Sequence, residues 1–162
     1  RCFEEVRGAD MRDYLRPPFI PPFWLLTAVV SIIVLDQATE QTVILGPPFN
    51  HFGWFLILGG LGVALYVDLI FKRRGTTILP FRKATSLVTT GPFRYSRNPV
   101  YAGMAAALLG FALTLGKALP LLVVPAFVWV IQSCFICREE ASLEEAFGAD
   151  YKSFKSQVRR WI

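Results

Sequence analysis

The chain has 162 residues, 54% of them hydrophobic, with a mean hydropathy of +0.45 and a formal net charge of +5. A soluble domain of this length could not bury so much apolar surface, so the composition excludes an ordinary soluble globule and points to a membrane protein. The positive charge fits contact with anionic lipid heads, and no soluble basic domain is present to bind nucleic acid.

Four stretches carry no formal charge: 17–35, 41–67, 98–116 and 118–137. Each has about the 20 residues a helix needs to cross ~30 Å of hydrocarbon. No water is available there to satisfy backbone groups, so the spans are expected to be helices. The expected fold is therefore all-α and integral to the membrane, with four transmembrane helices in a single domain covering 1–162. A segment at 1–16 precedes a membrane region at 17–137, and a polar part follows at 138–162.

In chain order, Arg1, Arg7, Arg12 and Arg16 come first, and Pro17-Pro18 and Pro21-Pro22 mark the entry to the first span. Proline is tolerated in a first helical turn, so this span is expected from about residue 21 to 35. Gly46-Pro47-Pro48 breaks the loop that follows, and a second span is expected over about 50–71. Gly59, Gly60 and Gly62 fall within one turn of it. Small residues there allow close helix packing. They also leave room for a cofactor against bare backbone, and on that second reading Gly60 and Gly62 are cofactor-binding candidates. Asp68 either pairs with Lys72 one turn on or faces a site. His51, the one histidine, falls at the opposite membrane face from the other polar clusters.

Residues 72–90 are expected to be an irregular loop, rich in Gly, Thr, Pro and basic residues. A third and a fourth span then form an antiparallel helical hairpin, turning near Gly116-Lys117, with Pro125 expected to kink the fourth. Cys134 and Cys137 form a CxxC inside an apolar helix with no histidine nearby, which suits core packing over metal binding. After Arg138, apolar residues recur at helical spacing among charges, with Gly148 as a break. This predicts two short amphipathic helices on the membrane face.

Sixteen of the 17 Lys and Arg residues lie before the first span, between the second and third, or after the fourth; only Lys117 lies elsewhere. With four spans these groups share one face, which the positive-inside rule makes cytoplasmic. Both termini and the site below are expected there.

Two polar clusters meet at that face. Arg94-Tyr95-Ser96-Arg97-Asn98-Pro99-Val100-Tyr101 enters the third span, and Arg138-Glu139-Glu140 leaves the fourth. An arginine beside a glutamate near hydrocarbon can be an ion pair that only locks helices together. Two carboxylates, several arginines and two tyrosines exceed what locking one hairpin requires. Such a mixture suits a zwitterionic ligand with a cationic centre: carboxylates answer cations, arginines a carboxylate, and tyrosines stack on a base.

Gly91-Pro92-Phe93-Arg94-Tyr95-Ser96-Arg97-Asn98-Pro99-Val100-Tyr101 resembles the Arg-(His/Asn)-Pro-x-Tyr signature of the isoprenylcysteine carboxyl methyltransferase and phospholipid methyltransferase superfamily. Glu139-Glu140, Leu143, Phe147-Gly148, Tyr151 and Arg159 resemble that family's downstream pattern, and the likeness runs from about Gly75 to Ile162. The resemblance implies an integral membrane enzyme using S-adenosylmethionine as methyl donor, with no Rossmann domain and no metal. It implies a lipid-soluble or small-molecule methyl acceptor. Carried over by position, Tyr95, Asn98, Pro99, Tyr101, Glu139 and Glu140 would bind the cofactor, and Arg97 and Arg94 would act in catalysis. Asn98 stands where many eukaryotic members have His, which suits transfer without a histidine base. A similar Arg-x-Pro-x-Tyr pattern in the longer sterol reductases makes a nicotinamide-dependent membrane reductase the alternative enzyme, and a non-catalytic four-helix membrane subunit the alternative outside enzymes.

Overall fold

A computed structural model describes residues 20–38, 40, 43–73 and 87–162. The expectations for 1–16 and for most of the 72–90 loop lie outside these residues. The described chain is helical: α1 (Pro21–Ala38), α2 (Phe49–Arg73), a 3₁₀ turn (Gly91–Arg94), α3 (Pro99–Leu115), α4 (Ala118–Leu121), α5 (Val123–Ile131), a π-helical segment (Gln132–Ile136) and α6 (Cys137–Gln157).

Among the described residues, three helical stretches are long and apolar enough to cross a membrane: Pro21–Ala38, Phe49–Arg73 and the continuous run Ala118–Gln157. The shorter apolar helix, α3, has 17 residues, or roughly 26 Å at 1.5 Å per residue. Large apolar side chains face outward, including Phe55 at 74% exposure, Leu65 and Trp129. A water-soluble protein would not leave such a surface uncovered; this is an integral membrane protein.

α1 runs three residues past its expected end. Asp36 on that extension is matched by Lys117 Nζ at 2.8 Å, and the same ammonium donates to the Asp36 carbonyl at 2.8 Å. A cation at a helix C-terminus satisfies both the carboxylate and an orphan carbonyl. Lys117 thereby ties the turn between α3 and α4 to α1. In that turn Gly116 adopts φ 70°, and its carbonyl accepts hydrogen bonds from the Ile44 and Leu45 amides. Near Pro125, expected to kink the span, the helix is interrupted only at Leu122, between α4 and α5, where the backbone keeps αR angles. Proline has no N–H to bond the carbonyl four residues back, so the hydrogen-bond ladder loses a rung at Leu121.

The most extensive helix pairing is α2 against α3, not the hairpin of α3 with the helices after it. Two glycines of each helix make it possible. A Cβ on Gly60 would strike the Gly103 carbonyl, and one on Gly110 would strike that of Gly53. Gly60 is therefore part of a helix crossing. A Cβ on Gly62 would meet nothing within 4 Å, on the exposed side of α2. The packing reading of these glycines accounts for Gly60, whose added Cβ would meet only Gly103 and Ala107 among its three nearest neighbours. Gly60→Ala should lower stability by about 1–3 kcal/mol through overpacking, whereas Gly62→Ala should not destabilise. Thermal unfolding of the two purified variants checks the contrast; equal melting temperatures would contradict this packing.

α6 is one element with a reversal inside it. Gly148 takes φ 52°, ψ −115°, a conformation that L-residues avoid. In a straight helix Lys155 would stand roughly 16 Å along the axis from Glu144. Instead its Nζ lies 3.2 Å from Glu144 Oε2. The chain folds back at Gly148, as two expected amphipathic helices would, and carries Tyr151 and Phe154 into buried positions.

Candidate active site

The entry to α3 is built from the turn upward. Gly91, at φ +68°, sits so close to the C-terminal end of α2 that a Cβ would press on Ile70 Cδ1 at 3.0 Å. Phe93 packs edge-on against Phe71, with ring centroids 5.7 Å apart. The Pro92 carbonyl then accepts the amides of Tyr95 and Ser96. These contacts fix the segment 96–98 against the helix bundle.

That segment is held from its other side by residues 159–161. The Arg97 amide donates to the Arg159 carbonyl at 2.9 Å. Ser96 Oγ and Asn98 Nδ2 both donate to the Arg160 carbonyl, at 3.3 and 3.1 Å. Trp161 Nε1 donates to Gln132 Oε1 at 2.9 Å, at the first residue of the π-helical segment. Asn98 thus does not cap α3 with its side chain. Its amide ties down the strap, while Pro99 occupies the first helical position where no N–H is needed.

Beneath the strap lies an ion cluster. Glu140, with a side chain 6% exposed, accepts from Arg160 Nε at 3.0 Å and Arg160 Nη2 at 2.7 Å. Arg97 Nη2 approaches the same carboxylate at 3.3 Å, with its own side chain 9% exposed. Hydrogen bonding to Glu140 holds the Arg160 guanidinium above its ordinary pKa, so it stays charged. Tyr151 lies beside Arg97, Glu140 and Arg160. Arg97 Nε and Nη1 are buried and have no hydrogen-bond partner among the described residues.

Adjacent residues on a helix point about 100° apart, so Glu139 and Glu140 separate. Glu139 Oε1 accepts the Tyr101 hydroxyl at 2.7 Å. Tyr101 is itself buried in the third position of α3. One carboxylate therefore binds the two arginines and the other joins α6 to α3.

Of the residues expected to share a site, Arg97 meets Glu140, Asn98 meets the Arg160 carbonyl and Tyr101 meets Glu139, with Pro99 buried at the α3 start. Tyr95 is 78% exposed and Arg94 is also exposed, both on the outer side of the turn. Asp68 pairs with Lys72 at 2.6 Å, the simpler of its two readings. Ser96, Arg160, Trp161 and Gln132 belong to the cluster without having been singled out. Their signal was weak: a basic pair and a tryptophan look like a solvated tail until a partner is known. Among the described residues, no group of three His, Cys, Asp or Glu side chains could hold a metal.

Residues 49–150 match the family model described as phospholipid methyltransferase. The chain belongs to that family. An uncharacterised protein of Haemophilus influenzae is 41% identical over 63 residues, covering 39% of this chain and all of that protein. A protein-S-isoprenylcysteine O-methyltransferase of Schizosaccharomyces pombe is 35% identical over 72 residues, 44% of this chain but only 30% of that enzyme's length. A probable protein-S-isoprenylcysteine O-methyltransferase of Oryza sativa subsp. indica is 25% identical over 138 residues, covering 80% of this chain and 71% of that one. No solved structure matches. The family match takes in α2, α3 and all of Arg94, Arg97, Tyr101, Glu139 and Glu140.

Proposed function

We propose that this phospholipid-methyltransferase-family protein is a membrane methyltransferase that takes its methyl group from S-adenosylmethionine and delivers it to a carboxylate, thiol or amine of an acceptor reached from the lipid. The observation that carries the proposal is the Arg97 guanidinium, buried beneath the strap against Glu140 with two N–H-bearing nitrogens unpartnered among the described residues, while Glu139 and Tyr101 bond each other where α6 meets α3. The names of the relatives support the class of reaction.

The residues fit such a donor. Arg97 offers charged hydrogen-bond donors to a carboxylate, and Glu139 with Tyr101 offers a polar, acidic wall to a cationic end. When bound, the donor supplies an electrophilic methyl on a sulfonium, with a neutral leaving group. The protein therefore needs no strong acid. Its residues act by holding the reacting groups in line and excluding water, an effect that can reach about 7–11 kcal/mol in the best intramolecular cases. Arg97 would orient the anionic group, and Asn98 and Pro99 would set the loop against which the ligand lies. Arg94 and Tyr95, on the exposed side of the turn, would meet the ligand only on entry. We further propose four spans, with α3 completing the membrane region and the cluster on the cytoplasmic side, as the charge asymmetry implies.

Incubation of the purified protein with label-bearing methyl donor and separate pools of prenylcysteine analogues, phospholipids and small thiols tests this. Label should pass to one pool. No transfer to any pool, with hydride transfer from a nicotinamide cofactor instead, would favour the reductase alternative.

A further inference from the structure

The Arg97–Glu140–Arg160 cluster divides its bonds unevenly. Arg160 takes both oxygens of Glu140, at 3.0 and 2.7 Å, while Arg97 reaches one of them through Nη2 alone, at 3.3 Å. Arg97 Nε and Nη1 remain buried without a partner among the described residues. Buried donors on a charged group are unfavourable unless something accepts from them, and arginine cannot relieve the strain by losing its proton. Such donors in a native protein call for an acceptor, whether a water, an ion or a ligand.

Were Arg160 absent, Glu140, already 3.3 Å from Arg97 Nη2, would be free to turn both oxygens onto Arg97. We infer that Arg160 is a positioning residue: by gripping both oxygens of Glu140 it keeps that carboxylate from turning onto Arg97 Nε and Nη1 and reserves those donors for the carboxylate of a ligand. The inference rests on the methyltransferase reading only for the source of that carboxylate, which is either the amino-acid end of the donor or the acceptor itself. The backbone at residue 160 is anchored independently of its side chain. Its carbonyl accepts from Ser96 and Asn98, the Arg159 carbonyl accepts from Arg97, and Trp161 is tied to Gln132. Substituting Arg160 therefore removes the guanidinium and leaves the strap fastened.

The experiment is calorimetric binding of two ligand pairs to the wild type, Arg160→Gln and the double variant Glu140→Gln/Arg160→Gln. One pair is S-adenosylhomocysteine and its decarboxylated counterpart; the other is N-acetyl-S-farnesylcysteine and its carboxamide. In the wild type, one pair should favour the carboxylate-bearing member by about tenfold or more, the scale of one charge-assisted hydrogen bond. Arg160→Gln should abolish that preference and leave binding of the carboxylate-free member unchanged. The double variant should restore it, because the competing carboxylate is gone. A preference that survives Arg160→Gln, one that fails to return in the double variant, or equal loss for both members of the pair would overturn the role. So would the absence of any carboxylate preference in the wild type. If neither adenosine compound binds but the farnesyl pair shows the full pattern, the donor reading falls and the role of Arg160 stands. If S-adenosylhomocysteine binds with no carboxylate preference in either pair, the reverse holds.

Discussion

Glu140→Gln should lower the stability of the protein by about 3–5 kcal/mol, the effect of removing one partner from a buried ion pair. Glu140 is the shared counter-ion of Arg97 and Arg160, and its side chain is 6% exposed. With a neutral amide in its place, two guanidiniums face each other beneath the strap with no charge between them. Glu139→Gln should have a much smaller effect, because its amide oxygen can still accept from the Tyr101 hydroxyl. Thermal unfolding in detergent would measure both. A Glu140→Gln variant that melts with the wild type would show that the buried ion cluster adds nothing to the stability of the bundle.

The second large effect is on turnover. Arg97→Ala should reduce methyl transfer by at least about 100-fold, the scale of removing one positioned electrostatic group. Arg97→Lys should recover little, since a compact ammonium cannot supply the separately directed N–H groups of a guanidinium. Arg94→Ala should lose far less, because Arg94 lies on the exposed side of the turn. Rates for the three variants, each normalised to folded protein, would decide the point. Full activity in Arg97→Lys would mean that charge alone matters there, and near-normal activity in Arg97→Ala would remove the residue from the site.

The helices were readable because their physics is local. Long charge-free runs announce spans, Pro99 announces a helix start, and Gly148 announces a reversal that only a glycine-permissive backbone makes easily. The pairing of Asp68 with Lys72 followed from one-turn spacing alone. What could not be read depends on distant partners. Nothing in the sequence says that Gly60 meets Gly103, or that α2 packs against α3 more closely than α3 against its own hairpin partner. The site was legible as a set of residues and not as a wiring. Arg97, Tyr101, Glu139 and Glu140 stand out by composition near hydrocarbon. Glu139 and Glu140 look like one acidic pair, and only their angular separation on α6 assigns one to Tyr101 and the other to the arginines. Between Arg159 and Arg160 the sequence offers no choice. The choice is made by a strap whose backbone is bonded to residues more than 60 positions earlier.

The most direct measurement is titration calorimetry of the wild-type protein with S-adenosylhomocysteine and, separately, with NADPH. The account predicts saturable binding of S-adenosylhomocysteine that Arg97→Ala weakens or uncouples from turnover, and far weaker binding of NADPH. Tight NADPH binding with no response to S-adenosylhomocysteine would contradict it.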